Sequence, residues 1–119
     1  MNSAKSPAIR LQHMLEHIDG ILSATDGLSS REILDSYIVI RAVERSLQII
    51  SEAAKELPAG LLALEPEIPW RSIVGIGNLL RHEYYRIRDD DIIDILHHHL
   101  PDLRPAVLRL IEGLEKPRS

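Results

Sequence analysis

Between Asn78 and Tyr85 the chain places an amide, a guanidinium, an imidazole and two phenols within eight residues: Asn78, Arg81, His82, Tyr84 and Tyr85. If the segment is helical, Asn78, Arg81 and His82 stand at i, i+3 and i+4 and share one face. A guanidinium holds phosphate oxygens through a planar fork of donors. An imidazole exchanges protons near neutral pH. The cluster is therefore equipped to grip a phosphate and move a proton beside it, with Leu79 and Leu80 carrying the segment into a core.

Such a cluster needs a rigid frame, and composition bounds what that frame can be. A chain of 119 residues reads as one domain, residues 1–119, with a single core. Hydrophobic residues make up 45% of it, which excludes wholesale disorder. Phe is absent and there is one Trp, so the core must be built from Leu, Ile, Val and Ala. The absence of cysteine excludes disulfides and thiolate metal sites. No apolar run approaches the length of a membrane span, and Met1 to Arg10 lacks the apolar stretch of a signal peptide. The expectation is a cytoplasmic protein with no membrane partner. Net charge is −4, so nucleic-acid binding would require a local basic patch.

The hydrophobic pattern is helical nearly throughout. Ser6-Pro7 reads as a cap with proline at the first helical position, and Leu11, Met14, Leu15, Ile18, Ile21 and Leu22 recur at helical spacing until Asp26-Gly27. Ser29 or Ser30 caps the next element, read as one long helix from about Arg31 to Leu57. Its positions Val43, Leu47, Ile50, Ala54 and Leu57 alternate steps of four and three residues, a heptad-like seam. Ile38, Ala42, Ile49 and Ala53 form a second apolar stripe. Two stripes call for two covered faces, one in the chain's own core and one against a second copy.

Pro58, Pro66 and Pro69 mark a structured loop with a short turn near Leu61 to Leu64. Trp70 begins the helix that carries the Asn78–His82 cluster. Asp89-Asp90-Asp91 sets negative charge at the start of the last element, where the helix dipole favours it. Pro101 should kink or split that element. Met1 to Pro7 and Lys116 to Ser119 read as frayed ends. The sum is an all-α bundle of four to five helices.

Each functional residue also has a plainer role. A histidine at a helix end can satisfy backbone carbonyls, and Arg81 can pair with Glu83 or Asp89–Asp91. Tyr85 suits amphipathic packing. Arg41, Glu44, Arg45 and Glu52 suit a solvated, ion-paired helix face. His97, His98 and His99 resemble a metal tract. Consecutive helical residues point about 100° apart, however, so at most two could reach one ion, and neither a metal nor a cofactor is expected.

RAVERSLQIISEAAKELP (residues 41–58), EIPWRSIVGIGNLLRHEYYRI (67–87) and an acidic helix start followed by HHLP (98–101) occur in an order that resembles the HepT family of the HEPN superfamily. The resemblance runs from about Gln12 to Leu110. It implies an antiparallel helical bundle that dimerises through its long helices and sets its polar motif in a cleft at the interface. The activity it implies is metal-independent RNA cleavage by the toxin of a toxin–antitoxin pair. Its partner would be a minimal nucleotidyltransferase that transfers AMP to a motif tyrosine.

The family motif reads Arg, four residues, His, one residue, Tyr, with a polar residue after the Arg. By position these are Asn78, His82 and Tyr84, and the arginine position falls on Gly77. Arg81 lies one turn further along the same face, within reach of that position. Glycine there costs up to about 1 kcal/mol in a helix interior, so it opens space beside Asn78 or marks a close backbone approach or a bend. Arg41 and Glu52 fall within the family's helix motif. With Gly77 and Tyr85 they are candidates to line the cleft. His82, Arg81 and Asn78 are then the expected catalytic residues and Tyr84 the AMP acceptor. A second reading keeps the bundle and loses catalysis, leaving a substrate- or nucleotide-binding partner of the nucleotidyltransferase. A third is a structural helical protein with an apolar dimer face.

Overall fold

Small polar side chains fix where the first helices begin. In the computed structural model, which describes residues 6–83 and 86–116, Ser6 accepts a hydrogen bond from the Ile9 N–H (3.3 Å) and Pro7 opens α1, Pro7–Thr25. The chain then reverses through Gly27, whose φ of 79° is a left-handed conformation that glycine adopts without strain. Ser29 and Glu32 exchange side-chain-to-backbone hydrogen bonds (3.1 and 2.8 Å) and start α2, Ser30–Asp35.

The long helix expected from Arg31 to Leu57 is two helices. Ser36 is extended (φ −91°, ψ 111°) and its side chain accepts from the Val39 N–H, so α3 runs Tyr37–Lys55 and Leu57 lies beyond it, still buried. The apolar period continues through the break. What ends α2 is a serine that offers the next turn's N–H an alternative acceptor. Within α3 the heptad-like seam is confirmed: Val43, Leu47, Ile50 and Ala54 are all buried. The second stripe divides. Ala53 is buried and Ile49 partly so, while Ala42 is exposed and Ile38 is 78% exposed.

Helix α3 lies at the centre, packed on one side by α1 and on the other by α5, Trp70–His82. Contacts from Arg10 to Glu56 (3.9 Å) and from His17 to Ser46 (3.1 Å) show that α1 and α3 run antiparallel. Between α3 and α5 the proline-marked loop holds a single helical turn, α4, Ala59–Leu62. The Trp70 indole N–H is shared by the carbonyls of Leu62 and Glu65, both at 3.1 Å, and this fastens the loop to the start of α5.

The acidic run opens α6, Asp89–Asp94, where the Asp91 carboxylate accepts the Arg88 N–H (3.1 Å). Before Pro101 the helix widens into a π-turn, Ile95–His99, and it resumes as α7, Leu100–Glu115, with Lys116 as its C-cap. The Leu100 N–H reaches back five residues to the Ile95 carbonyl. Pro101 and Pro105 have no N–H to give, and both are exposed. Arg104 of α7 grips Asp19 of α1 (2.5 and 3.3 Å), and Arg109 grips Glu65 of the loop (2.9 and 2.7 Å). The core is Leu, Ile, Val and Ala with Met14. Among the described residues there is no strand, and no helix is long and apolar enough to cross a membrane. Ser6, Pro7 and Lys116, expected to fray, are the N-cap and first residue of α1 and the C-cap of α7. Residues 1–5 and 117–119 lie outside the described residues.

Candidate active site

One buried serine sets the position of the motif helix. Ser51 of α3 donates its hydroxyl to the Val74 carbonyl (2.9 Å) and accepts the Gly77 N–H (3.1 Å). It is the single buried polar side chain among the described residues, and both of its hydrogen-bonding capacities go to α5. A Cβ built on Gly77 would overlap Ser51 Oγ and stand 2.6 Å from Ser51 Cβ. Gly77 therefore marks a close approach of α5 to α3, one of the readings its sequence position offered. Open space beside Asn78 is ruled out because Ser51 fills that space. The place where the family motif carries an arginine is here a helix-packing contact.

That approach brings the next turn of α5 over the polar face of α3. Arg81 donates from one terminal nitrogen to Glu52 Oε2 (2.9 Å) and from the other to Asn78 Oδ1 (2.8 Å). The carboxylate partner of Arg81 is thus Glu52, twenty-nine positions back in sequence, in place of the Glu83 or Asp89–Asp91 pairings that sequence proximity suggested. Glu83 pairs with Arg86 (3.0 Å), and Asp90 approaches Arg88 (3.9 Å). A guanidinium carries five N–H donors. Two are engaged here among the described residues, so Arg81 is held in place with donors left over. Its side chain lines a groove of about 270 Å³ together with Arg10, His13, Lys55, Glu52 and Glu56.

His82 is the last residue of α5 and is exposed. Glu83 caps the helix and its N–H returns to the Leu79 carbonyl (2.8 Å). Among the described residues no hydrogen bond involves the His82 imidazole, so the helix-capping role weighed for it has no contact behind it there. Tyr84 and Tyr85, the expected AMP acceptor and cleft-lining residue, lie outside the described residues.

Of the other expected cleft residues, Glu52 and Gly77 do meet the motif, whereas Arg41 does not. Arg41 lies eleven residues before Glu52 on α3, about 16 Å along the axis at 1.5 Å per residue. It pairs with Glu44, and its guanidinium lies 5.2 Å from the centre of the Tyr37 ring. Arg45 donates to Gln48 (3.3 Å). The ion-paired surface anticipated for this stretch of α3 is present. His98 and His99, within the π-turn, approach the Asp94 carboxylate that precedes it at 3.8 and 3.2 Å.

Sequence reasoning missed Ser51, for which a lone serine within the apolar part of a helix, LQIISEAA, was the available signal. Shifted titration is found away from the motif. Hydrogen bonding to Arg109 holds the Glu65 carboxyl below the ordinary glutamate value, and Arg104 and Arg109 are raised by hydrogen bonds to Asp19 and Glu65.

The arrangement of a tethered guanidinium, an amide and a solvent-facing imidazole at a helix end can bind a phosphodiester and transfer a proton. The comparisons with known proteins agree with this chemistry. The sequence model of the family described as "Ribonuclease HepT-like" matches residues 14–110, and the chain belongs to that family. It is 29% identical over 108 residues to "Putative RNase TTE0752" of Caldanaerobacter subterraneus subsp. tengcongensis, covering 91% of this chain and 96% of that protein. With "Putative RNase MJ0127" of Methanocaldococcus jannaschii it shares 30% identity over 105 residues, 88% of this chain and 87% of the relative. Identity to "Probable ribonuclease HepT" of Thermococcus cleftensis is 34% over 77 residues, 65% of this chain and 70% of that one. No solved structure gives a significant match.

Proposed function

We propose that this chain is the ribonuclease toxin of a toxin–antitoxin pair, working in the cytoplasm as a homodimer whose two motif helices share one cleft. The observation that carries the reading is the Arg81 guanidinium, held by Glu52 and Asn78 beside the solvent-facing His82 at the end of α5. His82 takes the proton of a ribose 2′-hydroxyl, whose oxygen attacks the adjacent phosphorus. The 5′-oxygen leaves and takes a proton from a protonated imidazole across the cleft, supplied by the second copy. The products are a 2′,3′-cyclic phosphate and a 5′-hydroxyl. Arg81 neutralises the phosphorane oxygens with its remaining N–H donors, and Asn78 keeps the guanidinium aimed. Each step uses side chains already present, so cleavage should survive EDTA. Loss of cleavage on chelation, restored by a divalent ion, would overturn the metal-independent mechanism.

The exposed upper half of the second stripe, Ile38 and Ala42, supports the dimer, because an apolar helix face of this kind is usually covered. Silencing is assigned to a cognate nucleotidyltransferase. The Tyr84 phenol oxygen attacks the α-phosphorus of ATP, pyrophosphate leaves, and the attached AMP brings negative charge and bulk beside the phosphate site. Co-expression with the neighbouring nucleotidyltransferase, followed by intact-mass measurement, should show mass added in steps of AMP that disappears in Tyr84→Phe. Unchanged mass, or addition at Tyr85 alone, would contradict the assignment.

One observation favours the second reading, a catalytically silent binding partner of that nucleotidyltransferase. The motif arginine position is filled by packing, and the substitute guanidinium already has a carboxylate partner. The two readings part on a single assay, RNA cleavage by the purified chain.

A further inference from the structure

We infer that the N-terminal half of α3 carries a nucleobase-stacking subsite for single-stranded RNA, built on Tyr37 and Arg41 with Arg45 as a phosphate contact. The inference rests on the ribonuclease reading and assigns part of its substrate contact. Tyr37 is the first residue of a nineteen-residue helix, yet it is 74% exposed. The Arg41 guanidinium lies 5.2 Å from its ring centre and is held at its other end by Glu44. The cation thus lies over one face of the ring, and a base would stack on the opposite, exposed face, continuing a cation–ring stack. Arg45 follows one turn later. The groove they line, about 520 Å³, is completed by Glu44, Gln48 and Leu80.

Two features tie this groove to the active site. Leu80 belongs to α5 and immediately precedes Arg81. Tyr37, Arg41, Arg45, Gln48 and Glu52 recur at steps of four, four, three and four residues, so they lie along one face of α3 that ends at the carboxylate holding Arg81. From Tyr37 to Glu52 is fifteen residues, about 22 Å of helix, a span of a few extended nucleotides. Charge supports the assignment. In a chain of net charge −4 a polyanion needs local cations, and this groove offers Arg41 and Arg45 against Glu44. Glu44 neutralises Arg41, so stacking should contribute more than ionic attraction here. Ile38 points about 100° away around the helix, onto the side assigned to the second copy.

The test uses the full chain and a fluorescein-labelled single-stranded RNA of about eight nucleotides, 2′-O-methylated for binding and unmodified for cleavage. Tyr37→Ala should weaken binding and raise KM by about tenfold while kcat holds, and Tyr37→Phe, which keeps the ring, should stay within about twofold of wild type. Arg45→Ala should weaken binding and flatten its salt dependence. Unchanged binding and KM in Tyr37→Ala would overturn the proposal. So would an equal loss in Tyr37→Phe, or a changed sedimentation coefficient in Tyr37→Ala, which would give the ring to a second copy of the chain. Wild-type protein that binds the RNA without cleaving it, and loses that binding in Tyr37→Ala, would overturn the ribonuclease reading and leave the subsite standing. Wild-type protein that binds no RNA would overturn both.

Discussion

Arg109 and Arg81 sit on different helices and are tied to carboxylates in opposite ways. Arg109 closes a fork on Glu65, with Nε and a terminal nitrogen each meeting one carboxylate oxygen (2.9 and 2.7 Å), and Arg104 does the same with Asp19. Arg81 divides its two terminal nitrogens between two residues, Glu52 and Asn78. A closed fork commits one edge of the guanidinium and both carboxylate oxygens to a single partner, and so staples α7 to the loop and to α1. A divided grip fixes the plane of the guanidinium and keeps Nε–H and further N–H groups for a phosphate. In α7 the same residue type therefore closes on one carboxylate, and in α5 it divides its grip between two side chains.

The largest expected effect comes from disturbing the seat of the held arginine. Restoring the family residue with Gly77→Arg looks from the sequence like a route to higher activity. The geometry at Ser51 reverses that expectation: the new side chain has no room, α5 must move, and both thermal stability and cleavage should fall. Gly77→Ala already forces an overlap with Ser51 and should cost about 1–3 kcal/mol despite the better helix propensity of alanine. Adding Ser51→Gly should recover part of that loss, a non-additivity readable in thermal melts. A Gly77→Arg protein with an unchanged melting temperature and raised activity would show that the helices are not packed as described.

Next in size is the grip itself. Arg81→Ala should lower kcat/KM by roughly a hundredfold, the scale of losing a charged donor from a transition state. Glu52→Ala should lower it by about tenfold through loss of one hydrogen bond to a charged group, and Glu52→Gln, which keeps an acceptor, should retain most of the activity. A gain in Glu52→Ala would mean that the carboxylate restrains Arg81 instead of aiming it.

The smallest effect belongs to the closed fork of Arg109 on Glu65 and is read against pH. The folded Glu65 carboxyl titrates below its ordinary value because Arg109 donates to it. Its contribution to stability is therefore complete above the ordinary glutamate range and is lost as pH falls through the lowered folded value. Arg109 stays charged throughout. The melting temperature of Glu65→Gln should lie slightly below wild type at neutral pH and converge with it in acid, with no change in cleavage at neutral pH. Divergence toward low pH would contradict the sign.

Much of the fold was legible because it depends on local chemistry. Ser6-Pro7, the cap at Ser29, the start at Trp70 and the acidic run at Asp89 each act within one turn, and the seam from Val43 to Leu57 repeats at the helical period. The break at Ser36 was hidden because the apolar period runs through it and only a side-chain hydrogen bond interrupts the backbone. The site was half legible. Asn78, Arg81 and His82 share a face by spacing alone. Two facts that decide what they can do, the Ser51–Gly77 contact and the Glu52–Arg81 pair, join residues twenty-six and twenty-nine positions apart and depend on how α5 crosses α3. Periodicity does not encode that crossing.

The most direct measurement is single-turnover cleavage of single-stranded RNA by wild-type protein and His82→Ala, with EDTA present and thermal unfolding followed alongside. Wild type should cleave to 2′,3′-cyclic phosphate ends. His82→Ala should show no detectable cleavage, with a melting temperature close to wild type, since His82 is exposed at the end of α5. His82→Ala protein that folds normally and cleaves at the wild-type rate would contradict proton transfer by His82.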